Sequence, residues 1–131
     1  MVSWLAAACV FVGGGLGACL RWLLSVLLNP LFHIVPLGTL AVNLIGGYLV
    51  GVAAAFFAHR PDLPPELKLF AITGILGGFT TFSAFSNEVV SLLAEGRPGW
   101  ASATAAAHLF GSLFLTMLGI MTVRLFIHPM P

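Results

Sequence analysis

Between Gly74 and Glu88 the chain reads GILGGFTTFSAFSNE, and its polar groups are of the kind that hold a small ion rather than break a bond. Thr80, Thr81, Ser83, Ser86 and Asn87 offer hydroxyl and amide donors where a lipid-facing helix would carry Leu and Ile. Phe82 and Phe85 stand three apart, so on a helix they share one face, roughly 4.5 Å apart along the axis. The rim of a phenyl ring carries the positive edge of its quadrupole, so two rings beside a hydroxyl stripe can face a small anion. Gly74, Gly77 and Gly78 with the clustered hydroxyls weaken an α-helix, and a break is expected before Phe82. Broken backbone is tolerated inside a membrane only where it is buried in protein or lines a cavity or ion site.

The elements that must carry this stretch are membrane spans. Of 131 residues, 60% are apolar and 7% charged, with a mean hydropathy of +1.08. A soluble domain carries about 25% charged residues, so an all-α integral membrane protein is expected. Four apolar runs, 3–28, 37–57, 69–93 and 101–127, each reach the roughly 20 residues of a helical span. They make a single four-helix domain over 1–131, with the third helix broken near its middle. The first run lacks the basic start and cleavage site of a signal peptide and is read as a retained helix.

Two other runs carry polar stripes. Thr39, Asn43, Gly47 and Gly51 recur every four residues in the second, and Thr104, His108, Ser112 and Thr116 in the fourth. Gly47 and Gly51 read as packing positions, as do Gly13 and Gly17 in the first run. The Asn43 carboxamide is costly in mid-membrane unless it meets a partner, an ion or water. Serine and threonine hydroxyls often bond to carbonyls one turn back, so each of those is ambiguous alone. Arg21, inside the first run, either snorkels to the interface or draws anions to a pore mouth. Glu88 reaches either the water interface or a vestibule, the interface being favoured by its place toward the helix end. Cys9 and Cys19, about 15 Å apart along one helix, read as packed thiols.

Composition removes several classes of function. A net charge of +1 without a basic patch gives no support to nucleic-acid binding. No paired carboxylates in a span, metal-ligand spacing, nucleophile elbow or phosphate loop is present, so no catalytic residue is assigned and an enzyme is not expected. A small proton-coupled four-helix multidrug-type exporter is the rival, but it needs an ionisable relay deep in the membrane. The first, second and fourth runs hold no Asp or Glu. Arg60, Lys68 and Arg124 on one side stand against Arg21 and Arg97 on the other, a bias too small to fix one orientation. Four small helices are a thin wall for a polar route, so an oligomer is expected, and mixed orientation permits an antiparallel two-fold pair.

Four motifs, in order and covering nearly the whole chain, resemble the Fluc (CrcB) fluoride channels: GGGLGACLRW at Gly13 to Trp22, GTLAVNLIGGYLVG at Gly38 to Gly51, GILGGFTTFSAFSNE at Gly74 to Glu88 and HLFGSL at His108 to Leu113. The resemblance implies a dual-topology, antiparallel homodimer in the cell (inner) membrane, surrounded by lipid, with two pores that export fluoride. It places the pore asparagine on Asn43 and the ring box on Phe82 and Phe85, with Thr39, Ser83, Ser112 and Thr116 along a polar track. Glu88 and Arg21 then fall toward a pore mouth. It also implies a structural sodium ion at the dimer interface, held by main-chain carbonyls at Gly77 and Thr80. It assigns no role to His108.

Overall fold

The chain is seen in a computed structural model that describes residues 2–127; the expected domain, 1–131, runs beyond these at both ends. Among the described residues, four helical stretches are long and apolar enough to cross a membrane. The first span, α1 (Trp4–Leu28), is capped by Ser3, whose hydroxyl accepts from the Ala6 amide at 3.0 Å. A short 3₁₀ turn, Asn29–Leu31, ends it at Pro30. Asn29 Oδ1 accepts from the Gly38 amide at 2.8 Å, tying this turn to the start of α2 (Leu37–His59).

The third span is built in pieces. A turn of α-helix, α3 (Pro65–Lys68), widens into a π-helical segment, Leu69–Leu76, and tightens again as α4 (Gly77–Phe79). The backbone then extends at Thr80 (φ −84°, ψ 158°) and Thr81 (φ −152°, ψ 118°) before α5 (Phe82–Ala94) resumes. The last span is α6 (Pro98–Ile127). Gly96, with φ 72°, makes the turn between them. Its amide reaches the Leu93 carbonyl at 3.1 Å and that of Arg97 reaches Leu92 at 2.9 Å, the paired bonds of a glycine-terminated helix.

The spans match the four apolar runs, with helices starting earlier than the third and fourth runs. Pro65 and Pro98, which lie outside the apolar runs, each occupy the first turn of a helix, where a missing N–H costs nothing. The break falls at 80–81, and the glycines before it serve a different purpose. A Cβ on Gly13 would come within 2.6 Å of the Phe70 carbonyl, and one on Gly17 would overlap the Ile75 carbonyl. Those two glycines, with Gly74 and Gly78 opposite, let α1 lie directly on the first half of the third span. Gly51 and Gly119 do the same between α2 and α6, against the carbonyls of Thr116 and Tyr48.

Side-chain pairs fix the directions. Asn43 and Tyr48 of α2 meet His108 and Thr122 of α6 in the same order, so α2 and α6 run parallel. Thr39 and Asn43 meet Glu88 and Thr81 in reverse order, so α5 runs antiparallel to α2. Large apolar side chains such as Trp4 (92% exposed), Phe11 (82%) and Phe126 (84%) point outward, a surface suited to lipid rather than water. In the connector after α2, hydrogen bonds from the Arg60 guanidinium at 2.8 and 2.9 Å hold the Asp62 carboxyl below the usual carboxylate range.

Candidate functional site: a polar seam at the helix break

A helix interrupted in mid-membrane leaves backbone groups that must be paired elsewhere. Asn43 supplies that pairing. Its Oδ1 accepts from the Thr81 amide at 2.8 Å and its Nδ2 donates to the Thr81 carbonyl at 2.9 Å, so one side chain on α2 replaces both partners lost at the break. Thr81 then caps α5, its hydroxyl accepting from the Ala84 amide at 3.2 Å. Thr80 turns its hydroxyl back to the Leu76 carbonyl at 2.8 Å.

These diversions free two carbonyls. The amide one helical turn beyond Gly77 is that of Thr81, which is held by Asn43. The amide one turn beyond Thr80 is that of Ala84, which is held by the Thr81 hydroxyl. Neither the Gly77 nor the Thr80 carbonyl therefore has its ordinary helical donor. Both are neutral oxygen donors suited to a hard cation.

The remaining Asn43 hydrogen reaches His108. Nδ2 lies 3.0 Å from His108 Nδ1. The amide orientation is set by Thr81, so the nitrogen can only donate and Nδ1 must accept, which leaves the proton of the neutral ring on Nε2. The His108 ring is buried and stacks on Phe85 with centroids 4.5 Å apart at 27°. Phe85 in turn meets Phe82 edge-on, at 5.4 Å and 72°. Phe82 is 78% exposed and stands at the outer edge of the group.

A cavity of about 350 Å³ runs past these residues, bounded by Asn43, Thr80, Phe82, Phe85, Ser112 and Thr116 among others. The hydroxyls of Ser112 and Thr116 on α6 do not bond back to their own helix, unlike that of Thr122, which donates to the Leu118 carbonyl. Ser112 donates to the Asn43 carbonyl at 3.4 Å and Thr116 to the Gly47 carbonyl at 2.9 Å, so both cross to α2. Each hydroxyl has one proton and must rotate to present it to an anion. On the other side of Asn43, the Thr39 hydroxyl donates to Glu88 Oε1 at 2.5 Å, and Glu88 Oε2 is buried. The Glu88 carboxylate thus turns inward to α2 instead of reaching out from the helix end.

Thr39, Asn43, Phe82, Phe85, Ser112 and Thr116 are therefore gathered along one seam between α2, α5 and α6, with Glu88 one turn from Asn43. Ser83 is at its margin, exposed, its hydroxyl 3.4 Å from that of Thr81. Arg21 does not join: no hydrogen bond or ion pair links it to the seam, and α1 packs on the π-helical segment, α2 and α4. Two members, Thr81 and His108, stood among the polar residues of the third and fourth runs in the sequence but were given no role in the site. The signal for His108 was present, because a lone imidazole in one stripe and a lone carboxamide in another are each costly without a partner.

Four apolar spans with amide, hydroxyl and ring groups collected along one interior seam define a multi-pass membrane protein with a polar route between its helices. Residues 8–120 match the family described as CrcB-like protein, Camphor Resistance (CrcB). The chain is similar to a protein of Burkholderia cenocepacia (strain HI2424) named Fluoride-specific ion channel FluC, 62% identical over 115 residues that cover 88% of this chain and 90% of that protein. It is also similar to a protein of the same name from Burkholderia pseudomallei (strain 668), 58% identical over 120 residues that cover 92% of this chain and 94% of that protein. The chain belongs to the CrcB family.

Proposed function

We propose that this chain forms a passive, fluoride-selective channel that lets fluoride leave the cell. The observation that carries the reading is the cavity beside the broken third span, where neutral donors and ring edges replace a hydration shell and no charged side chain is among its boundaries. The names of its relatives supply the ion. Hydrogen fluoride crosses membranes as the neutral acid and dissociates inside, and an interior-negative potential drives the anion out by roughly 2.3 kcal/mol per 100 mV. A selective hole suffices, and export lowers the toxicity of the ion. Asn43, Phe82 and Phe85 would desolvate the ion, with Thr39, Ser83, Ser112 and Thr116 passing it along. The test is efflux from liposomes under a potassium diffusion potential without a pH gradient. Fast fluoride loss with negligible chloride loss is expected; flux only with a proton gradient would overturn the channel in favour of a coupled exporter.

Two finer features belong to the same proposal. The functional unit would be an antiparallel homodimer, because a single copy leaves the Phe82 ring of the proposed pathway 78% exposed on its outer face and its two sides carry nearly balanced charge. The carbonyls of Gly77 and Thr80, both without their helical donors, fit a structural sodium ion. One chain offers too few oxygens to surround a cation, and a two-fold partner would double them. Replacing sodium by a large organic cation during purification should then convert dimer to monomer in sedimentation in detergent. An unchanged dimer after exhaustive exchange would remove the ion from the assembly.

A further inference from the structure

His108 is the most deeply buried ionisable side chain in the seam, at 4% exposure, and it touches two of the groups that the channel reading puts in contact with the ion. Asn43 has two amide hydrogens. One is committed to the Thr81 carbonyl, where releasing it would orphan the backbone at the break. The other is given to His108 Nδ1 and is the one that can be exchanged for an arriving anion. Between ion passages that hydrogen is buried, and leaving it without an acceptor would cost the full desolvation of an amide donor. The opposite face of the problem is Phe85, whose ring lies nearly flat on the imidazole at 4.5 Å.

We infer that His108 is a positioning residue of the pathway: its Nδ1 holds the exchangeable Asn43 hydrogen in place between ions, while its ring braces Phe85. It acts through those two residues. Nε2 is not needed for this, and it lies on the far side of the ring from Asn43, buried and without a hydrogen-bond partner. There His108 and Thr104 border a second, smaller cavity of about 210 Å³ with Phe32 and Trp100. Nδ1 and Nε2 can therefore be separated by substitution. An asparagine side chain puts its oxygen near the position of Nδ1, whereas glutamine puts its polar atoms near that of Nε2.

The inference rests on the channel reading, and wild-type protein in the same vesicles keeps the two apart: no fluoride efflux from wild type would sink the function itself. With wild-type efflux in hand, His108→Leu and His108→Gln should each lose roughly tenfold or more, the effect of an orphaned buried donor on a pathway group. His108→Asn should stay within about threefold of wild type, because the acceptor is restored while the stacking is lost. All three variants are compared at equal monodisperse yield in detergent, so that a folding defect is not read as a flux defect. Wild-type flux in His108→Leu would overturn the inference. So would better rescue by Gln than by Asn, which would assign the role to Nε2.

Discussion

Fluoride efflux falls by about a hundredfold or more when Asn43 is replaced by Asp, although the two side chains are nearly the same size. The reason is the loss of donors at one point. Asn43 Nδ2 donates to the Thr81 carbonyl at 2.9 Å and to His108 Nδ1 at 3.0 Å. In Asn43→Asp an oxygen replaces that nitrogen and faces two acceptors. The carboxylate also places a negative charge where the anion must pass. Two like unit charges about 4 Å apart repel by roughly 4 kcal/mol at an effective dielectric of about 20, and at about 1.4 kcal/mol per decade that alone exceeds the stated factor. Efflux measured at neutral pH, on protein that elutes as wild type does, is the check. Efflux near the wild-type rate would show that Asn43 serves the helix break and not the ion.

The same residue shows how far the sequence can be read. Its cost in mid-membrane demanded a partner, and the polar residues of the third run demanded a break in the helix; both needs are visible residue by residue. That the partner is the backbone of Thr81, 38 positions away, depends on the offset between antiparallel helices, which no local pattern encodes. The glycines of the third run illustrate a second limit. Together with the clustered hydroxyls they pointed to the break before Phe82 that is found at 80–81, but glycine in a membrane helix is as well used for close contact. Here Gly74 is used so against Gly13 of α1, and Gly78 against the Gly14 carbonyl. The break belongs to Thr80 and Thr81, whose short polar side chains bond to the backbone of their own neighbourhood and satisfy it outside a helix. Spacing also could not decide whether the hydroxyls of Ser112 and Thr116 bond back along α6 or across to α2, since that depends on how closely Gly47 and Gly51 let the two helices approach. Composition and hydropathy, by contrast, fixed four spans, because the thickness of a bilayer sets their length whatever their neighbours do.

Phe82 isolates the ring-edge contribution better than Phe85 does. Phe85 packs on His108, so substituting it disturbs the imidazole and, through it, Asn43. Phe82 is 78% exposed within one chain and meets Phe85 only edge-on, so Phe82→Ile leaves no hole in the protomer and keeps an apolar side chain of comparable bulk. What it removes is the ring of positive C–H edges. A single aromatic contact is worth about 0.5–1.5 kcal/mol in ordinary settings, and a bare anion in a low-dielectric passage draws more from each donor than a neutral group does. A tenfold or greater loss of fluoride efflux is therefore expected for Phe82→Ile, about 1.4 kcal/mol or more, with unchanged assembly in detergent. If the exposed ring instead served only to seat a second copy, the variant would lose assembly and efflux together. Unchanged efflux with unchanged assembly would remove ring edges from the mechanism and leave anion desolvation to Asn43 and the hydroxyls of the seam.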